Sequence, residues 1–308
     1  MSFNIDKKLV VAVSSNALFD LSHEHELFER LGVDEFRAYQ SNNRNLKPDP
    51  GPAFPFIQRL LNLNKIYKEE RPIEVVILSR NHADAGLRVM DAVESYKLDI
   101  SRSFFLAGQK PYPYMDSLGA VLYLSTNRSE VEEAVRQGFS AGYVLPCANK
   151  FLESDKQLRL AFDFDGVIAS DEAEIIYNDT GNLDMFHEHE KNKRNTPLKE
   201  GPLMPLIKKI SSFQKMEREK SVVEKNYTQM LRIAVVTARN APSHERVVTT
   251  LTNAGVDVDE LFLLGGIEKS KVLSVLKPQI FFDDQIGHLE LASESTPSVH
   301  IPFGIANK

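Results

Sequence analysis

Residues 160–167 read Leu160-Ala161-Phe162-Asp163-Phe164-Asp165-Gly166-Val167, an apolar run that ends in two carboxylates and a glycine. If the run is a buried strand, two like charges stand at its end, and this is costly unless a cation or a charged ligand compensates them. Gly166 permits a turn after the second carboxylate. One carboxylate is then free to attack a substrate and the other to move protons.

Two further apolar runs end in polar groups. Ile233–Val236 leads into Thr237, Ile280–Phe282 leads into a pair of aspartates, and a lysine follows two glycines at 265–266. In an open parallel sheet, ligands bind at the carboxyl ends of the strands. Each piece alone is also typical of a surface turn or a helix start, but their order predicts one site. Its predicted members are Asp163, Asp165, Thr237, Lys269, Asp283 and Asp284, with Lys271 a rival for Lys269.

This ordered set resembles the haloacid-dehalogenase-like phosphohydrolase superfamily. Phosphate monoesters hydrolyse very slowly, and a carboxylate nucleophile divides the reaction into two easier steps. We assign Asp163 as the nucleophile that forms a phospho-aspartate. Asp165 is assigned as the general acid that protonates the leaving oxygen and then as the base that activates water.

Four carboxylates in one site need a cation. Mg²⁺ with oxygen ligands fits this charge, and we expect it to be held by the side chains of Asp163 and Asp284 and by the backbone carbonyl of Asp165. Thr237 and Lys269 are expected to hold phosphate oxygens, and the lysine offsets charge that develops in the transition state.

The chain contains an internal pattern match that indicates a diverged duplication. Residues 75–134 align with 233–292 at a constant offset of 158 without a gap, and residues 9–16 resemble 158–165. The first copy lacks the charged groups: it has Ser14, Asn16, Ser125, Thr126 and Pro111 where the second has Asp163, Asp165, Asp283, Asp284 and Lys269. The first half is therefore predicted to be catalytically silent.

Alternating strand and helix patterns in each half predict an α/β fold with two Rossmann-like parallel-sheet domains of the haloacid-dehalogenase type. We expect a silent domain over 1–150 and a catalytic domain over 151–308, joined by a polar linker at 146–157. The segment 168–231 is too long for a simple connection and is predicted to form a mostly helical cap over the active site.

Composition limits the class of protein. The chain has 308 residues, 42% hydrophobic and 26% charged, with a net charge of −6. This charge argues against nucleic acid and membrane as partners. A single cysteine, Cys147, excludes an intrachain disulfide, and the first eight residues lack a signal-peptide core, so a cytoplasmic location is expected. Whether the chain forms a homo-oligomer stays open.

Beyond the superfamily motifs, the chain resembles the cytosolic 5′-nucleotidase type I family over most of its length. The more specific stretches are Gly51-Pro52-Ala53-Phe54-Pro55-Phe56 and Phe281-Phe282-Asp283-Asp284-Gln285. The resemblance implies Mg²⁺-dependent hydrolysis of nucleoside 5′-monophosphates, with AMP the leading candidate. As substrate-contacting residues we expect Asp283, Arg239, Phe186, Asn81 and His82.

Other functions fit the same residues. The substrate could be a sugar phosphate or another small monoester, or the phosphoryl group could pass to an alcohol acceptor. A third interpretation is a non-catalytic nucleotide sensor. The second half keeps the full set of charged residues, and this argues against a sensor. His187 and His189 are spaced i and i+2, and this spacing would place two metal ligands side by side on a strand or loop but not on one face of a helix. We therefore favour a polar cap surface here over a zinc site.

Overall fold

The computed structural model describes residues 5, 7–21, 30, 32, 35, 39, 42–43, 46–147 and 156–307, with only the backbone of 177–180. The chain divides into two compact units, Met1–Ala134 and Val135–Lys308. The predicted linker at 146–157 lies largely outside the described residues, and the domain boundary at 150/151 stays a prediction. Within the described part of the chain, none of the helices combines the length and apolar character that crossing a membrane requires.

The first unit contains a four-stranded parallel sheet. Its strands are β1 (Leu9–Val13), β2 (Ile73–Ser79), β3 (Arg102–Phe105) and β4 (Ala120–Ser125), in the order β3-β2-β1-β4. The helices that follow them are α1 (Ser15–Leu18), α2 (Phe54–Ile66), α3 (Ala83–Ser95), α4 (Met115–Leu118) and α5 (Arg128–Arg136), the last of which crosses the division between units.

The second unit contains six strands that are parallel except at one edge. They are β5 (Ala141–Val144), β6 (Leu158–Phe162), β7 (Leu231–Thr237), β8 (Glu260–Leu263), β9 (Ile280–Asp283) and β10 (Ser298–His300), in the order β5-β10-β9-β6-β7-β8. Only β5, next to β10, runs antiparallel among the described strands. The helices are α6 (Glu172–Thr180), α7 (Leu183–Asn192), α8 (Met204–Val223), α9 (His244–Asn253), α10 (Lys269–Leu276) and α11 (Ile286–Ser293).

The central strands are buried along their whole length. All five residues of β1 and all four of β9 are buried, as expected for parallel strands that are covered on both faces. In the second unit, an apolar cluster that includes Ala161, Phe281, Leu273 and Leu289 packs α10 and α11 against the sheet. This packing brings the first residue of α10, Lys269, towards the ends of β6 and β9.

The two units share strand order and register. The order β3-β2-β1-β4 in the first matches β8-β7-β6-β9 in the second. Ala12 of β1 pairs with Tyr123, and the corresponding Ala161 of β6 pairs with Phe281. Just past these strands, the amide of Ser14 donates to Leu124 O and the amide of Asp163 donates to Phe282 O, both at 2.8 Å. The prediction of an α/β fold with a mostly parallel sheet is thus confirmed.

The segment between β6 and β7 is mostly helical, as predicted. It holds α6, α7 and the 20-residue α8. The turn before α8 repeats the one before α2: Gly201 N donates to Ile168 O at 2.8 Å, and Gly51 N donates to Leu18 O at 2.9 Å. A Cβ at either glycine would lie within 2.7 Å of a backbone oxygen, which explains why glycine stands at both positions.

Candidate active site

Asp163 stands at the first position after β6. The strand ends at Phe162, and the Asp163 amide donates to Phe282 O of β9, so the residue is held between two strand ends. The residue is 3% exposed. The chain then turns at Gly166, whose φ of +69° lies in the region that favours glycine, as the sequence predicted.

Lys269 bridges two of the predicted carboxylates. Its Nζ lies 2.7 Å from Oδ2 of Asp163 and 2.7 Å from Oδ2 of Asp283. The other candidate, Lys271, pairs with Glu268 at 3.4 Å and has a side chain that is 69% exposed. Of the two lysines that the sequence offered, the structure therefore brings Lys269 to the carboxylates.

This arrangement shifts the proton affinities of all three groups. Burial raises the pKa of Asp163 to about 7, although the Lys269 ammonium opposes the rise. Burial would also raise the pKa of Asp283, but the lysine and His288 hold it below its usual value. Burial disfavours the charged lysine, yet the two carboxylates raise the pKa of Lys269 above its usual value. Lys269 is therefore a permanent positive charge beside Asp163.

Asp284 is a buried carboxylate without a partner. The residue is 1% exposed, and neither side-chain oxygen has a hydrogen-bond partner in the structure. Burial, followed by the charges of Asp163 and Asp283, raises the pKa of Asp284 to about 10. A Cβ at Gly166 would lie 2.4 Å from Asp284 Oδ2, so the glycine leaves room for this carboxylate. Orphaned carboxylate oxygens of this kind fit a hard divalent cation such as Mg²⁺.

A second set of side chains also has metal-ligand spacing. One ligand atom from each of Asp163, Asp283 and His288 lies within 4.8 Å of the others. However, Asp283 Oδ2 already accepts from Lys269, and Oδ1 accepts from the Gln285 amide at 2.8 Å. Both Asp283 oxygens thus already accept hydrogen bonds, whereas neither Asp284 oxygen does, and the pairing of Asp163 with Asp284 as metal ligands stays a prediction.

Thr237 is at the end of β7, which lies next to β6 in the sheet. It is the last residue of the strand and is 1% exposed. Its Oγ1 accepts a hydrogen bond from the backbone amide of Arg239 at 3.2 Å, so that the hydroxyl proton stays available to another acceptor. The strand order β9-β6-β7 gathers Asp283, Asp163 and Thr237 at the carboxyl edge of one sheet.

Asp165 is held by Arg239, which was predicted to contact substrate. Arg239 Nε and Nη2 donate to the two Asp165 oxygens at 2.6 and 2.7 Å, and Nη1 pairs with Glu190. Arg239 is 5% exposed. The guanidinium is thus directed at protein carboxylates, and the side chain of Asp165 is engaged, which leaves its backbone carbonyl as the predicted ligand.

Helices α6 and α7 bring acids to which the sequence analysis gave no role. Glu190 of α7 is fully buried between Arg239 and Arg246, and Arg246 Nη2 also contacts Glu172 of α6 at 2.6 Å. Glu174 of α6 receives a hydrogen bond from Gln285 at 3.3 Å. Burial, followed by the charge of Asp165, raises the pKa of Glu174 to about 8. No spacing motif marks these residues, because they come from helices that fold back over the strand ends.

Phe186 and the two histidines lie on α7, within the segment that was predicted to be mostly helical. The asparagine cap Asn182, which accepts from the amides of residues 184 and 185, explains why this polar segment starts a helix. The Phe186 ring lies 5.7 Å from Cζ of Arg239. His187 Nε2 lies 3.2 Å from Asn240 Oδ1.

Asn81 and His82 lie in the first unit, after β2. Asn81 Nδ2 donates to Ser15 Oγ at 3.0 Å, and Ser15 Oγ lies 2.8 Å from Ser79 Oγ. His82 is exposed and immediately precedes α3. Their predicted contact with substrate stays a prediction.

Comparison with known proteins gives the family. A family model described as 5'-nucleotidase matches residues 1–308. The human protein named cytosolic 5'-nucleotidase 1B is 33% identical over 288 residues, which make up 92% of this chain and 47% of the human protein. The chain thus spans about half the length of this curated relative.

Two alignments to solved structures are weak. Histidinol dehydrogenase from Elizabethkingia anophelis aligns over 95% of this chain and 52% of its own, with 10% identity and a TM-score of 0.21. The S. aureus MnaA–UDP co-structure aligns over 93% of this chain and 76% of its own, with 11% identity and a TM-score of 0.20. Scores this low carry no argument about the fold. The match of the family model to every residue shows that this chain belongs to the 5'-nucleotidase family.

Proposed function

We propose that this chain hydrolyses nucleoside 5′-monophosphates to nucleoside and inorganic phosphate through a phospho-aspartate at Asp163. The observation that carries the proposal is the buried cluster in which Lys269 touches Asp163 and Asp283 while Asp284 stands unpartnered. Family membership supports a phosphomonoester substrate. AMP is the nucleotide that the resemblance to the type I family implies.

In the first step, an Asp163 oxygen attacks phosphorus and the bond from phosphorus to the ribose 5′-oxygen breaks. Asp165 acts here in its protonated form, with the proton on an oxygen that also accepts from Arg239, and it gives that proton to the leaving oxygen as the nucleoside departs. Lys269 and the Thr237 hydroxyl hold phosphoryl oxygens, and the lysine offsets their growing negative charge.

In the second step, water attacks phosphorus and the bond to Asp163 breaks. Asp165 takes the water proton, so inorganic phosphate leaves and both carboxyl groups return to their starting states. The side chains of Asp163 and Asp284, with the Asp165 carbonyl, would hold Mg²⁺. When bound, the ion supplies charge neutralisation and orients the phosphate.

The fold proposed for this chemistry is a pair of haloacid-dehalogenase-type domains, of which the first is a silent copy. The shared strand order and register of the two units support it. The relative's name supports a cytoplasmic site of action for this chain.

The test is phosphate release from a panel of nucleoside 5′-monophosphates and sugar phosphates, with Mg²⁺ and with EDTA. Metal-dependent release from AMP or its relatives, far above glucose phosphates, is expected. Release mainly from sugar phosphates would replace the substrate class and keep the mechanism. Phosphate transfer to an added nucleoside would identify a phosphotransferase, and no release from any ester would contradict the proposal.

A further inference from the structure

A buried chain of charges joins Asp165 to the cap helices. It runs from Asp165 through Arg239, Glu190 and Arg246 to Glu172. The first four of these side chains are each 7% exposed or less, and only Glu172, at 31%, reaches solvent. An ionic chain of this kind is costly to bury unless every charge is paired, and here each carboxylate faces a guanidinium.

We propose that Glu190 is a positioning residue that acts through Arg239 to orient Asp165 for proton transfer. The proposal rests on the proposed function, in which Asp165 protonates the leaving oxygen. Glu190 itself touches Arg239 and Arg246, and its place on α7 makes the orientation of Asp165 depend on a cap helix.

The geometry of Arg239 explains why an anchor matters. An arginine side chain has several rotatable bonds, and a guanidinium that grips a carboxylate with two parallel bonds sets the plane of that carboxylate. Arg239 spends Nε and Nη2 on Asp165 and Nη1 on Glu190. Glu190 therefore holds Nη1 of the Arg239 guanidinium in place, while Nε and Nη2 of the same guanidinium bind Asp165.

Two aromatic rings also contact the guanidinium of Arg239. Its Cζ lies 5.3 Å from the Phe164 ring and 5.7 Å from the Phe186 ring. Phe186 and Glu190 are four residues apart on α7 and so lie on one face of that helix. The same helix face thus supplies both a ring contact and the anionic anchor.

The test compares two phosphate esters in wild type and Glu190→Gln. AMP has a poor leaving group that needs a proton, whereas p-nitrophenyl phosphate or acetyl phosphate, whichever the wild type hydrolyses, has a good one that does not. The ratio kcat/KM is measured because it covers only the steps up to loss of the leaving group. We expect kcat/KM to fall about tenfold or more for AMP and to stay within about twofold for the activated ester.

Glu188→Gln is the matched control, since it makes the same change at an exposed position on α7 and should leave both ratios as in wild type. If Glu190→Gln does not fold, Glu190→Gln combined with Arg246→Gln removes one charge of each sign and should give the same selective loss. An equal fall for both esters, or no fall for either, would overturn the inference. Wild-type protein that releases no phosphate from any nucleotide would instead defeat the proposed function.

Discussion

The ammonium of Lys269 lies 2.7 Å from Oδ2 of Asp163, with both side chains at most 5% exposed. A second contact of the same length joins Lys269 to Asp283. A single cation thus serves two buried carboxylates. Because an uncompensated buried carboxylate is costly, this contact supports the fold as well as the proposed chemistry.

Lys269→Met should abolish turnover and destabilise the protein. Removing the cation leaves Asp163 and Asp283 without their shared ammonium, and His288, 3.2 Å from Asp283, faces only one of them. We expect a loss of about 3–5 kcal/mol in the free energy of unfolding. Phosphate release and urea denaturation measure the two effects. Lys271→Met is the matched control, because Lys271 is exposed. This substitution should leave phosphate release unchanged and change the free energy of unfolding by no more than about 0.5 kcal/mol. Equal losses in both variants would show that Lys269 has no special role.

Asp163→Asn should abolish phosphate release while the protein still folds. The amide keeps the shape of the side chain but cannot attack phosphorus. Thermal melting checks folding, and single-turnover phosphate release checks chemistry. Ser14→Ala provides the control, since Ser14 holds the same place after β1 as Asp163 does after β6. That variant should lose about 1 kcal/mol from the cap of α1 and retain activity. Substantial turnover by Asp163→Asn would remove Asp163 as the nucleophile.

The sequence predicted the strand-end residues well because parallel strands have a simple geometry. Apolar runs that end in Asp163, Thr237 and Asp283 must deliver these side chains to one edge if the runs form neighbouring parallel strands. The offset of 158 residues also carried structural information, since Val76 pairs with Arg102 just as Ala234 pairs with Glu260.

The residues to which the sequence analysis gave no role lie on helices α6, α7 and α9. Glu190, Arg246 and Glu174 belong to different helices, and their approach to Asp165 depends on how those helices pack. Residue spacing carries no such information. His187 and His189 lie on a helix that begins at the Asn182 cap, so their i and i+2 spacing does not bring them to one helix face.

Gly166→Ala should disrupt the site through one methyl group. The new Cβ would lie 2.4 Å from Asp284 Oδ2, at a φ of +69° that alanine adopts with strain. We expect at least a tenfold loss of activity and about 1–2 kcal/mol of lost stability, measured by phosphate release and thermal melting. Gly287→Ala, where nothing lies within 4 Å of the added Cβ, is the control and should keep full activity. Normal activity in Gly166→Ala would show that Asp284 need not occupy its observed position.

Asp284→Asn should stabilise the metal-free protein while abolishing its response to Mg²⁺. The pKa of Asp284 is raised from 3.8 to about 10, so the metal-free folded state must hold a proton there that the unfolded chain releases. Holding this proton lowers the free energy of unfolding, and the loss increases as pH rises from 3.8 towards 10. Its upper limit is about 1.4 kcal/mol per pH unit.

Asparagine is neutral at every pH, so in EDTA the variant should melt at a higher temperature than wild type, with a gap that widens as pH rises. Mg²⁺ supplies the missing positive charge in wild type and should raise its melting temperature, whereas the variant should respond little because it has lost a ligand. A matching change at Glu188, which is exposed on α7, should leave the Mg²⁺ shift intact. A full Mg²⁺ shift in Asp284→Asn would place the ion elsewhere, and the alternative set of Asp163, Asp283 and His288 would then be the site to test.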